Sequence, residues 1–156
     1  MSYGLQQVFE ESVSAVTATN TVELGTERWQ DGVKCIYVYN KSTSTAAVKH
    51  GVVYSASSGY SVTVSCVAAA GTRCAGVVVH TELDPSDYGW IAVKGNVHVT
   101  SSGLSAIVQG DKIYMDGETG TFGRPTGGTG WTGHVAGEAT GSTDTAGTFA
   151  AFINVG

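Results

Sequence analysis

The sequence contains few charged residues. Lys, Arg, Asp and Glu together make up 13% of the 156 residues, about half of the usual share, and the formal net charge is −5 at pH 7. Recognition of nucleic-acid phosphates requires a clustered excess of Lys and Arg, whereas this chain has 8 basic residues against 13 acidic ones. The composition therefore predicts that the protein has no nucleic-acid partner.

Long apolar runs and a secretion signal are also missing. No stretch of about 18 apolar residues occurs that could span a bilayer. The opening segment, MSYGLQQVFEES, has neither the basic part nor the apolar part of a secretory signal peptide. We therefore predict no membrane partner, and a protein that is made and kept in a cytoplasm-like compartment or released from it by lysis.

Cysteine is scarce, and the spacing of the cysteines matches no common paired motif. The three cysteines, Cys35, Cys66 and Cys74, are an odd number and contain no CxxC pair. Neither a disulfide framework nor a zinc site is indicated by this pattern. Each cysteine has apolar or small neighbours, so all three are interpreted as buried free thiols that act as small apolar side chains.

Motifs of common enzyme and metal sites are absent from the sequence. A nucleophilic hydrolase needs a Ser, Thr or Cys held by a His, commonly in a GxSxG turn, and no such turn occurs. The acidic pairs Asp84 with Asp87 and Asp116 with Glu118 flank a proline and a glycine, so they are interpreted as turn formers rather than calcium ligands. The histidines are scattered singly: His50, His80, His98 and His134. We predict no enzymatic activity, no metal and no cofactor.

The residues that are abundant are β-branched and turn-forming. Val33 to Tyr39 (VKCIYVY) alternates between two faces, as a strand does. Ala75 to Thr81 is a nearly continuous apolar run, which predicts a strand buried on both faces. Tyr88 to Val93 and Asn96 to Thr100 are expected to form a tight hairpin around Lys94-Gly95. These patterns predict an all-β fold, either a small β-barrel or a β-sandwich.

The first 28 residues differ from the body of the chain, residues 29–156, and are interpreted as an extended N-terminal arm. Its apolar residues are too many for a solvated tail and too few for a separate core, so they are expected to bind a partner surface: Leu5, Val8, Phe9, Val13 and Val16. A second candidate contact is Trp131, which lies in a glycine-rich loop, because tryptophan is enriched at protein interfaces. Anchoring of this loop on its own domain is the alternative role for Trp131.

Two parts of the body, residues 29–95 and 109–156, have weakly similar patterns. Gln30–Tyr37 is similar to Gln109–Tyr114, and each of these segments is followed by a small-residue element and then by an apolar strand. A duplicated β unit is one interpretation. Chance similarity within a sequence of low complexity is the other.

The body also contains a series of short segments whose order is informative. They are Trp29–Gly32, Ala75–Val78, Tyr88–Gly95, Gln109–Tyr114 and Ala151–Gly156. In this order they resemble the capsid decoration (cement) and head-surface proteins of tailed bacteriophages. The resemblance implies a virion structural protein on the capsid surface, assembled in the bacterial host cytoplasm, which binds the major capsid protein as a homotrimer and stabilises the shell. It carries over no catalytic residue.

Two other functions remain open from the sequence. One is a receptor-binding or carbohydrate-binding module of a virion, part of a head fibre or a tail, in which aromatic residues form a stacking platform: Tyr60, Tyr88, Trp90 and Trp131. The other is a polysaccharide-degrading enzyme, although no aromatic-flanked pair of Asp or Glu residues favours it.

Overall fold

The structure, a computed structural model, describes residues 12–54, 63–65, 73–116, 119–124, 135–143 and 147–155. These residues form ten strands and no helix. In chain order the strands are β1 (Glu27–Gln30), β2 (Val33–Asn40), β3 (Gly51–Tyr54), β4 (Thr63–Ser65), β5 (Cys74–Val78), β6 (Tyr88–Thr100), β7 (Lys112–Met115), β8 (Phe122–Gly123), β9 (Val135–Ala139) and β10 (Thr148–Asn154).

All ten strands belong to one sheet, with the order β1-β2-β4-β3-β5-β6-β10-β9-β7-β8 and a further pairing between β2 and β6. The named strand pairs are antiparallel except for β2 with β4, which is parallel. The predicted all-β fold is therefore confirmed. The sheet as a whole is not closed into a barrel, because its terminal strands, β1 and β8, do not pair with each other in the described part of the chain.

Alternation of side chains along the strands forms the core. In β10 the buried positions Phe149, Ala151 and Ile153 alternate with more exposed ones, and each of the three is at most 2% exposed. β5 is buried along its whole length, which confirms the predicted buried run as far as Val78; the strand ends there, and His80 and Thr81 are exposed. Full burial of a Val, Leu, Ile or Phe side chain contributes roughly 1.5–3 kcal/mol, so these positions hold the sheet together.

β6 runs without interruption from Tyr88 to Thr100, so the hairpin predicted at Lys94-Gly95 is wrong. The first half of β6 pairs with β2 and the second half pairs with β10. Gly95 has a φ of 124°, and a Cβ atom on it would lie 2.7 Å from the carbonyl oxygen of Gly32. Glycine is therefore needed here for the close approach of two backbones, next to a register shift between β2 and β6, and not for a turn.

The pairing register of one part of the sheet is repeated in another part. In β3 and β5 the partners are Gly51↔Val77, Val52↔Gly76 and Val53↔Cys74, and in β7 and β9 they are Lys112↔Glu138, Ile113↔Gly137 and Tyr114↔Val135. Every number in the second set is 61 higher than in the first, and both ladders have a register shift after the second pair. The two strand pairs are thus equivalent, residue by residue.

Hydrogen bonds outside the ladders follow the same repeat. The amide of Lys49 donates to the carbonyl of Val78 at 2.6 Å, and the amide of Gly110 donates to the carbonyl of Ala139 at 2.8 Å. We therefore divide the body into a first unit, residues 33–93, and a second unit, residues 94–155, which meet within β6. This division differs from the one expected from the sequence, in which Tyr37 corresponds to Tyr114.

The later part of the predicted arm packs on the first unit. Val13 is 2% exposed and belongs to the core, and Val16 is partly buried against it. Thr17 forms a two-way backbone pair with Tyr88, at 3.0 and 2.8 Å. Thr21 Oγ1 lies 3.1 Å from the hydroxyl of Tyr37. Residues 12–26 thus cover one side of the body instead of extending away from it.

Candidate interaction surface

Of the six residues that the sequence analysis proposed for protein interaction, two lie among the residues that the structure describes. Val13 and Val16 both pack on their own chain, where Val16 Cγ2 would lie 3.4 Å from a Cβ atom on Gly89. The other four lie outside the described residues: Leu5, Val8, Phe9 and Trp131. Their proposed role stays a prediction.

Of the aromatic residues proposed as a sugar-stacking platform, the structure describes Tyr88 and Trp90, and both pack against other tyrosines of the chain. The Tyr37 ring lies 5.1 Å from the ring of Trp90 and 6.3 Å from that of Tyr88, centroid to centroid, and Tyr39 lies 4.7 Å from Tyr88. Trp90 is only 3% exposed, so its ring face is not accessible to a sugar. Tyr60, the remaining member besides Trp131, lies outside the described residues.

Acidic residues in the turns accept hydrogen bonds from threonine hydroxyls. Asp84 Oδ1 accepts a hydrogen bond of 2.6 Å from the hydroxyl of Thr45, and Asp116 Oδ2 accepts one of 2.8 Å from that of Thr119. No group of three or more His, Cys, Asp and Glu side chains that could hold a metal ion occurs within the described ranges. Asp116 thus bonds within its own turn, as predicted, whereas Asp84 bonds to Thr45 in a different loop.

The two cysteines that the structure describes, Cys35 and Cys74, are free and buried. Burial raises the pKa of the Cys35 thiol to about 11, although the nearby Arg28 opposes this shift. Burial also raises the pKa of the Cys74 thiol to about 12, opposed by a hydrogen bond to the backbone of Gly76. Because the thiolate is the reactive form, neither cysteine is available as a nucleophile at neutral pH.

We expect these two thiols to be unreactive in the folded protein. In a Cys66→Ser background, a thiol reagent such as DTNB at pH 8 should label neither Cys35 nor Cys74 under native conditions and both of them in denaturant. The Cys66→Ser exchange removes the third thiol from the count. Rapid labelling under native conditions at an unchanged melting temperature would contradict the burial of these side chains.

An exposed face on the second unit is the feature that the sequence analysis missed. We call it the outer face; it lies on β7, β9 and β10 and consists of Lys112, Val135, Glu138, Phe152 and Asn154. Val135 is 45% exposed and Phe152 is 38% exposed. Lys112 Nζ and Glu138 Oε2 form an ion pair of 2.5 Å. Around these residues is an open hollow of about 320 Å³.

The equivalent face of the first unit is covered. Its residues are Gly51, Cys74, Val77 and Ala92, and all of them are buried. A Cβ atom on Gly51 would lie 2.9 Å from Phe122 Cζ and would overlap the side chain of Met115, so both side chains of the second unit lie directly against this glycine. One face thus occurs twice in the chain, once covered and once open.

In the sequence, the outer face is indicated by a difference between two short strands, β5 and β9. β5 reads CAGVV and β9 reads VAGEA, with the Ala-Gly step at equivalent positions. Val77 in β5 corresponds to Glu138 in β9. Recognising the polar replacement as an exposed face requires the register of the repeat, which only the strand pairing provides.

Comparison with solved structures identifies a similar fold. The crystal structure of the head fibre gp8.5 N base of bacteriophage phi29 superposes with a TM-score of 0.52 at 18% sequence identity, and the match covers 77% of this chain and 94% of that chain. The chain is similar in fold to a phage head-fibre base. No protein-family model and no curated protein sequence matches it.

This likeness to the head-fibre base concerns the fold, since the sequence identity is low. No helix in the described ranges is long and apolar enough to cross a membrane.

Proposed function

We propose that the protein is a structural component of a phage head surface, which binds the major capsid protein as a homotrimeric decoration protein and stabilises the shell. The observation that supports this most strongly is the fold match to the phi29 head-fibre base, which extends over 94% of that chain. The sequence segments that resemble capsid decoration proteins point to the same class.

The physical properties of the described surface suit attachment to a protein shell. Large apolar side chains are also exposed outside the outer face. One of them is Trp29 on β1, which is 60% exposed. β1 is the terminal strand of the sheet, and among the strands that the structure describes it pairs with β2 alone. An edge strand with an exposed tryptophan offers main-chain hydrogen bonds and an aromatic anchor to a partner. β1 is therefore our candidate for the contact with the capsid.

Binding to shells that lack this protein tests the proposal. The purified protein should co-sediment with such shells and saturate at a copy number fixed by the lattice. Trp29→Ala should weaken the binding by about 30-fold, because loss of an aromatic anchor at an interface removes about 2 kcal/mol. The matched control is Val108→Ala, which truncates a side chain that is 53% exposed in a loop. Absence of binding by the folded wild-type protein would contradict a capsid role.

A component of a head fibre is the second candidate, favoured by the same structural match. Imaging of decorated particles separates the two. A fibre component gives density that projects from the shell, whereas a decoration protein gives density that lies flat on the lattice. The carbohydrate-binding role has weaker support, because Trp90 is buried.

A further inference from the structure

We propose that the outer face of the second unit binds the first unit of a second copy of this chain, at the side that carries Tyr54, so that copies join head to tail. The proposal names the self-association surface for the homo-oligomer in the proposed function, and it rests on that function only for its biological context.

The contact within the chain, which we call the internal junction, has defined partners. Met115 and Phe122 of the second unit lie against Gly51 of the first unit. The amide of Gly51 donates to the carbonyl of Gly120 at 2.7 Å, and His50 Nδ1 lies 2.9 Å from the carbonyl oxygen of Thr119. Side-chain packing and hydrogen bonds from the second unit together cover Gly51 of the first unit.

Both sides of the internal junction occur a second time in the chain, and there they carry exposed side chains. Lys112 holds the position of Gly51, within the open outer face. Tyr54 holds the position of Met115, because the pair Tyr54↔Val64 in β3 and β4 corresponds to Met115↔Phe122 in β7 and β8. Met115 is 8% exposed, whereas Tyr54 is 41% exposed. A second copy can bring this free Tyr54 side to the free outer face.

The chemistry of the two free sides is complementary. Met115 is apolar and packs against a glycine, whereas Tyr54 has an apolar ring and a hydroxyl that can bond to the Lys112–Glu138 ion pair of the outer face. Val135 and Phe152 supply the apolar contact beside this pair. The junction between copies cannot have the same geometry as the internal junction, because a side chain at position 51 would overlap Met115 and the equivalent position carries Lys112. We therefore place the second copy closer to Val135 and Phe152.

A head-to-tail junction uses two different faces, so it makes a distinctive prediction for mixed variants. Phe152→Glu disrupts the outer face and leaves the Tyr54 side intact. Tyr54→Glu disrupts the Tyr54 side and leaves the outer face intact. Each variant alone should be monomeric in sedimentation velocity, with self-association at least about 100-fold weaker than that of the wild type. An equimolar mixture should form a one-to-one dimer that does not grow further, because exactly one intact junction remains per pair.

The controls separate the junction from folding and from capsid binding. Leu104→Glu changes a side chain that is 68% exposed and lies outside both faces, so this variant should assemble like the wild type. Unchanged far-UV circular dichroism and melting temperature establish that the two interface variants are folded. A monomeric wild-type protein, wild-type assembly by either variant, or a mixture that stays monomeric would each overturn the junction. Because the measurement is made in free solution, absence of capsid binding contradicts the proposed function and not the junction.

Discussion

Replacement of Gly137 by alanine is expected to lower the free energy of unfolding by about 3 kcal/mol, near the upper end of the usual cost of inserting one methyl group into a packed site. Gly137 lies in β9 beside β10, and a Cβ atom on it would overlap the carbonyl group of Phe152. A backbone carbonyl within a paired strand cannot rotate away as the end of a flexible side chain can. The ladder between β9 and β10 must therefore separate locally to accept the new atom.

The repeat provides a second site for the same test. Gly76 is the equivalent of Gly137 in the first unit, and a Cβ atom there would lie 2.7 Å from the carbonyl oxygen of Ala92. Gly76→Ala should therefore also destabilise the protein strongly. Gly141→Ala is the matched control, since its Cβ would meet neighbouring atoms at 3.4 Å or more, and a change within about 0.5 kcal/mol is expected. Urea unfolding measures all three; equal stability of Gly137→Ala and Gly141→Ala would contradict the close approach.

The strands that the sequence predicted well are those with a strong local pattern. The alternation in Val33 to Tyr39 and the apolar run from Ala75 match β2 and β5. The error at Lys94-Gly95 has a physical cause, because a lysine followed by glycine suits both a tight turn and a strand position where another backbone approaches closely. The contact of Gly95 with Gly32 decides between these, and it joins residues far apart in the sequence.

The burial of a side chain was easier to predict than the surface that covers it. Val13 and Val16 are predicted to bind a partner surface, and in the structure both are buried or partly buried on their own chain. Sequence pattern indicates that a side chain leaves water, but it does not tell whether the covering surface belongs to the same chain or to another one.

The outer face was missed for a related reason. Phe152 lies in an apolar strand and therefore resembles a core residue, and only the register of β10 against β9 places it beside Glu138.

Among the residues that the structure describes, Asn40 is expected to be the polar side chain that matters most for stability. It is fully buried, and its Nδ2 donates to the carbonyls of Leu83 at 2.8 Å and Ser44 at 3.1 Å, while its Oδ1 accepts from the amide of Ser42 at 3.0 Å. Asn40→Ala leaves buried backbone groups with fewer partners, at about 1 kcal/mol for each lost bond. A loss of about 3 kcal/mol in the free energy of unfolding follows, measured by urea denaturation.

Ser101 is the matched control, because it is the equivalent buried polar residue of the second unit and its Oγ accepts one hydrogen bond, from the amide of Gly103 at 3.2 Å. Ser101→Ala should therefore destabilise the protein by only about 1 kcal/mol. Asn40→Asp separates bonding from packing, since it keeps the volume but replaces the donor that faces the carbonyls with an acceptor. If Asn40→Asp were as stable as the wild type, the carbonyls of Leu83 and Ser44 would not need this donor, and the stabilising role of Asn40 would lie in its packing and in the bond that Oδ1 accepts from Ser42.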